Sequence, residues 1–179
     1  MINHPYVFFE NFLSEEEIVT VNEYLEASNK RPDNLGTDFK NSEAFICELK
    51  EDFFLGYKLA RTAHQCNNSN FGYDLYDNVV SSVNVNYYSG EKNDYDWHQD
   101  SQSYNSKNDI KLTFLINISM EEYEGGELHL FPNTDIVAEE LNKPGNAIIF
   151  PSFTLHKVAP VTKGKRTSVA CWFLGPGFK

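Results

Sequence analysis

Near its C-terminus the chain runs Thr167-Ser168-Val169-Ala170-Cys171-Trp172-Phe173, seven residues with small or apolar side chains at odd and even positions alike. Side chains of a strand alternate between its two faces, so this run fits only a strand buried on both. One face must line the inside of a barrel or sandwich, and something must cover the other. The texture from Val79 onward agrees: short runs of β-branched and aromatic residues are separated by Gly, Pro, Asn and Asp. This predicts strands over 83–88, 96–100, 112–118, 127–131, 146–150, 156–158 and 166–173, a mainly β sandwich or barrel.

The cover is predicted to come from the N-terminal part. Phe12-Leu13-Ser14-Glu15-Glu16-Glu17 reads as a capping box, Ser14 being the N-cap and Glu17 the third helical residue. A helix over 15–27 follows, with Ile18, Val21, Leu25 and Val19 as its apolar stripe. A second helix is predicted over 51–65, carrying Phe54, Tyr57, Leu59, Ala60 and Ala63. The stretch 29–41 between them is rich in Asn, Asp, Gly and Pro and reads as a loop. With 179 residues, of which 41% are hydrophobic, the chain can bury a core as one domain. The expectation is a single domain over 1–179, with a helical cover over about 1–70 and a β core over about 79–175.

A formal net charge of −11 disfavours a grip on nucleic acid, which depends on clustered Lys and Arg. The short cluster Lys163, Lys165 and Arg166 contains Gly164 and, for its two lysines, reads as a solvated turn. Three widely spaced cysteines, Cys47, Cys66 and Cys171, form no CxxC pair and fit a reducing compartment. No basic flank with an apolar run opens the sequence, and no stretch approaches the length of a membrane span, so a cytoplasmic protein is expected. No G-x-S-x-G turn, P-loop or dinucleotide fingerprint is present, which sets aside those enzyme classes.

His98 and Asp100 are two residues apart, so on a strand both side chains face one way and can hold one ion. A His-x-Asp pair alone is common in solvated loops. His156 changes the balance, because it stands among apolar neighbours in Phe150-Pro151-Ser152-Phe153-Thr154-Leu155-His156. Two histidines and a carboxylate are the set that holds non-haem iron(II) on one octahedral face. His129 is a rival ligand on a predicted strand; His4 and His64 have no partners in the sequence. Arg166, ten residues after His156, opens the last strand with Ser168 on its own face, and its fork suits a carboxylate.

The ordered set His98-x-Asp100, His156 and Arg166 with Ser168 resembles the Fe(II)/2-oxoglutarate dioxygenases, in particular their prolyl 4-hydroxylase-like branch. Tyr87-Tyr88-Ser89-Gly90 is similar to that branch's Tyr-x-x-Gly, and Tyr95 stands three residues before His98. Gly125-Gly126-Glu127-Leu128, Lys143-Pro144-Gly145-Asn146-Ala147 and Phe150-Pro151-Ser152 resemble its strand entries, and Glu10-Asn11-Phe12-Leu13-Ser14 its first helix cap. The stretch 91–94 lengthens the usual loop before the metal motif.

The resemblance implies a double-stranded β-helix, or jelly roll, with helices packed outside one sheet. It implies iron(II) held by His98, Asp100 and His156, and 2-oxoglutarate and dioxygen as cosubstrates. The distal carboxylate of 2-oxoglutarate is expected on Arg166, with the hydroxyl of Tyr87 or Ser168 beside it. The implied reaction is hydroxylation of a C–H bond, in a peptidyl proline or other protein side chain. A small molecule or free amino acid is the alternative substrate, and a non-catalytic metal- or ligand-binding jelly roll the alternative class. The polar loops 29–41 and 101–109, including Ser103, Tyr104 and Asn105, are the expected substrate-facing segments.

Overall fold

The computed structural model of the chain describes residues 4–33, 40–77, 79–89, 93–101 and 107–178. Its order is β1 (Val7–Phe9), α1 (Glu15–Ala27), β2 (Lys30–Pro32), β3 (Glu43–Glu48), α2 (Phe54–Cys66), a π-helical turn (Asn67–Phe71), β4 (Ser82–Ser89), β5 (Asn93–His98) and β6 (Asn108–Asn117). There follow β7 (Tyr123–Gly125), β8 (Leu128–Phe131), β9 (Ile136–Ala138), a 3-10 turn (Glu139–Asn142), β10 (Ala147–Pro151) and β11 (Leu155–Pro176). No helix among the described residues is long and apolar enough to cross a membrane.

The major sheet is antiparallel, in the order β1-β10-β6-β11-β4-β3-β2. A second group forms on the first half of β11, where β5, β7 and β8 pair with it and β9 pairs with β8. Two antiparallel sheets sharing one bent strand make the expected double-stranded β-helix. Alternation along β11 explains the doubly apolar run. Val169, Cys171 and Phe173 join Leu112, Phe114 and Ile116 of β6 in the core under the helices. Arg166, Ser168, Ala170 and Trp172 face the interior between the sheets.

The helices form the cover. Helix α1 starts at the capping box, with Ser14 Oγ accepting from Glu17 N and Glu17 Oε2 from Ser14 N, and it buries Ile18, Val21 and Leu25. Val19, expected on the stripe, is 41% exposed. Helix α2 begins three residues later than expected and buries Leu55, Gly56, Leu59, Ala63 and Cys66, whereas Tyr57 points outward.

Several expectations change. The loop read over 29–41 contains β2, whose Lys30 and Pro32 pair with Cys47 and Phe45; a proline is tolerated there because β2 is an edge strand. Strands expected separately over 156–158 and 166–173 are one continuous β11, because β5 and β7 pair with the residues between. Lys163 is therefore in a strand rather than a turn, paired with Glu124 at 2.9 Å. Strands β1, β7 and β9 escaped notice because three residues are too few to show a period.

Gly126 lies at φ +72°, and a Cβ there would stand 2.8 Å from Arg166 Cδ and 3.0 Å from Val161 Cγ2. Gly126→Ala is therefore predicted to cost about 1–3 kcal/mol of stability, read as a lowered urea midpoint. An unchanged midpoint contradicts this packing.

Candidate metal centre

Strand β5 ends at His98, and the chain then turns so that the amides of Asp100 and Ser101 both donate to Ser152 O, at 2.9 and 3.0 Å. Asp100 thus stands just beyond the strand on which it was expected. His156 lies directly opposite His98 in the β5–β11 ladder. His98 Nε2 is 3.6 Å from Asp100 Oδ1, His156 Nε2 is 3.5 Å from Asp100 Oδ2, and all three ligand atoms lie within 4.8 Å of one another. Adjacent donors on one metal at bonds of about 2.1 Å sit about 3 Å apart, so the group needs only a small contraction to share an ion.

The supporting contacts determine which atoms are free. His98 Nδ1 is 2.6 Å from Asp96 O and His156 Nδ1 is 2.9 Å from Thr154 O. A carbonyl only accepts, so each Nδ1 carries the hydrogen and each Nε2 keeps a lone pair for a metal. Burial and the neighbouring His156 push His98 down to about 4, leaving it neutral at pH 7. Asp100 Oδ2 accepts from Thr113 Oγ1 at 2.8 Å and Trp172 Nε1 at 2.9 Å, which leaves Oδ1 for an ion. Tyr95 stacks on His98 with ring centroids 3.5 Å apart. Burial, aided by the charge of Asp100, raises the Tyr95 phenol above its usual value, so it keeps its proton.

The three residues line a cavity of about 260 Å³ that also takes in Tyr88, Arg166 and Ser168. Arg166 is 1% exposed. Its Nη1 donates to Ser168 Oγ at 3.2 Å, the Tyr88 ring lies 5.1 Å from its guanidinium, and its Nε has no partner. Among the described residues, no carboxylate forms an ion pair with it. A buried cation without a counter-charge is costly, and an anion of suitable size placed against it would relieve that cost.

Tyr87 does not reach this cavity. With Val83 and Val85 it faces the helix-covered core, packs on Phe45, and its hydroxyl accepts from Lys30 Nζ at 3.1 Å. Ser82, Asn84, Asn86 and Tyr88 are the inward residues of β4, so Tyr88 occupies the place expected for Tyr87. His129 pairs with Asp135 at 3.1 Å, away from the other histidines. Ser103, Tyr104 and Asn105 lie outside the described residues. Thr113 and Trp172 carried no motif of their own; their facing positions in the β6–β11 register put both on Asp100.

Residues 83–174 match the model of the 2OG-Fe(II) oxygenase superfamily. A PKHD-type hydroxylase of Polaromonas sp. is 35% identical over 103 residues, 52% of this chain and 43% of the relative. The chain thus spans less than half the length of that curated relative. In fold, it resembles a viral collagen prolyl hydroxylase of Paramecium Bursaria Chlorella virus-1, with TM-score 0.69, 21% identity and 97% of each chain covered. A Trichoplax adhaerens prolyl hydroxylase, solved with a hypoxia inducible factor peptide, gives TM-score 0.73 and 18% identity over 97% of this chain and 84% of that one.

Two predictions follow from the supporting contacts. Thr113→Val combined with Trp172→Phe frees Asp100 Oδ2 and should weaken iron(II) binding about 10–100-fold in anaerobic titration; an unchanged affinity contradicts the assigned support. The unfolded chain binds a proton at a histidine near 6.5 and the folded chain binds one at His98 only near 4. The metal-free protein should therefore lose stability as pH falls through that window. His98→Gln should lose less between pH 7 and 5 in urea melts, and equal losses would refute the burial argument.

Proposed function

The chain belongs to the 2OG-Fe(II) oxygenase superfamily, and on that premise we propose that it is an iron(II)- and 2-oxoglutarate-dependent hydroxylase of prolyl or other protein side chains. One observation carries the reading. A buried guanidinium with no carboxylate partner among the described residues shares a cavity with two histidines and a carboxylate whose donor atoms converge. The prolyl substrate is supported by the PKHD-type relative and by the fold likeness to prolyl hydroxylases.

The donor chemistry fits the group. Two imidazoles and one carboxylate offer iron(II) three protein ligands on one face and leave the other positions open. Loaded with 2-oxoglutarate and dioxygen, such a centre supplies an oxidation in which one oxygen atom enters succinate as carbon dioxide leaves, and the other enters the substrate C–H bond. The residues of this chain position the participants. His98 Nε2, His156 Nε2 and Asp100 Oδ1 would hold the ion. Arg166 would receive the distal carboxylate of 2-oxoglutarate through charge-assisted hydrogen bonds, with Ser168 Oγ beside it, in a place where water competes poorly. Ile110, Leu115, Val158 and Ala170 add apolar wall to the cavity and restrict water around the reacting centre.

The test is release of succinate from 2-oxoglutarate by the iron-loaded protein, with a panel of proline-containing peptides present. Turnover that needs both iron and 2-oxoglutarate is expected; none under any condition would overturn the reading. Arg166→Met should raise KM for 2-oxoglutarate about 30-fold or more while iron(II) still binds, and an unchanged KM would remove Arg166 from its assigned role.

A further inference from the structure

Lys40 lines the same cavity as Arg166, with Arg31 and Asp33 beside it on the wall, and the proposed reaction gives it no task. It forms an isolated β-bridge with Tyr95, and its Nζ lies 5.1 Å from the centroid of the Tyr95 ring. That ring also stacks on His98, so Lys40 and the metal set share contact with one aromatic ring. Its Nζ donates to Asn86 Oδ1 at 2.6 Å. Because an ammonium only donates, Asn86 turns its oxygen to Lys40, and its Nδ2 has no partner among the described residues. Asn86 is buried and lines the cavity.

Among the described residues, no carboxylate stands within ion-pair distance of Lys40. Burial lowers its pKa from the ordinary lysine value, and Asp33 and Asp100 oppose that shift through space. No ion pair joins either to Lys40 among the described residues. Both carboxylates are engaged elsewhere, Asp33 with Asn84 Nδ2 at 2.6 Å and Asp100 with Thr113 and Trp172. The distal carboxylate of 2-oxoglutarate already has a receptor in Arg166, whose cross-strand partner is Tyr88; Asn86 pairs instead with Ser168. Arg31 on the same wall is exposed, so Arg166 and Lys40 are the two cations set into the cavity, and the distal carboxylate of 2-oxoglutarate answers only one of them.

We propose that Lys40, with the amide of Asn86, binds a carboxylate of the substrate and so selects substrates that carry one close to the reacting C–H bond. The inference rests on the hydroxylase reading and adds that the substrate, peptide or free amino acid, carries a carboxylate near the reacting carbon. The carboxylate comes either from a Glu, Asp or C-terminus next to the target residue of a peptide or from the α-carboxylate of a free amino acid. The chemistry at Lys40 is the same in both cases.

The test uses the full chain loaded with iron(II) and 2-oxoglutarate under nitrogen, so that binding is read without turnover. Matched ligands are titrated calorimetrically: proline peptides flanked by Glu or by Gln, the same peptides with free or amidated C-termini, and free proline against prolinamide. The carboxylate member of at least one pair should bind about tenfold tighter or more, and the pair that shows it identifies the source. Lys40→Gln should abolish the preference and Lys40→Arg should retain it, with circular dichroism confirming that both variants fold. Equal affinities within every pair, no binding across the panel, or a preference that survives Lys40→Gln would overturn the proposal. Succinate release by the wild type, measured separately, keeps this outcome apart from failure of the hydroxylase reading.

Discussion

Strand β11 is the constraint on which the structure depends. Among the described residues it pairs with β4, β5, β6, β7 and β8, so its first half belongs to one sheet and its second half to the other. His156 lies on the first half, opposite His98, and Arg166 begins the second, opposite Tyr88. The distance between the metal set and the buried guanidinium is thus set by one continuous hydrogen-bonded strand rather than by loops. Gly126 packs against the junction with no side chain of its own, at a backbone angle few residues adopt.

The interior is organised by charge. It holds Arg166, Lys40, Asp33, Asp100 and two histidines in one small cavity, with the exposed Arg31 on its wall, and a buried cation with no carboxylate beside it would be unfavourable in a protein binding nothing. Each group has a partial partner: Ser168 and Tyr88 for Arg166, Asn86 and Tyr95 for Lys40, and Thr113 and Trp172 for Asp100. These partners orient the charges without neutralising the cations. The proposed iron(II) and carboxylate ligands would supply the charges that complete this arrangement.

Much of this was legible in the sequence, for identifiable reasons. The doubly apolar run at 167–173 required a strand between two layers, and the capping box fixed the start of α1. His98, Asp100 and His156 stood out because their residue types and order are distinctive. Tyr87 was misplaced because two tyrosines are adjacent, and a shift of one residue moves a side chain to the other face. The alternation of Val83 and Val85 with Asn84 and Asn86 held the signal that Tyr87 belongs with the valines. Thr113, Trp172 and Lys40 were not found, since their roles arise from cross-strand register and from a bridge between distant segments, which no local pattern records. Asp100 lies past the end of β5 because Ser152, far away in sequence, accepts from its amide.

The central claim is that one ferrous ion and one 2-oxoglutarate occupy this cavity on the atoms assigned to them. Anomalous diffraction at the iron edge, from crystals loaded with both under nitrogen, tests it most directly. The account predicts a single iron peak within bonding distance of His98 Nε2, His156 Nε2 and Asp100 Oδ1, with a carboxylate of 2-oxoglutarate against Arg166. Iron bound elsewhere, or 2-oxoglutarate with its distal carboxylate away from Arg166, would contradict it.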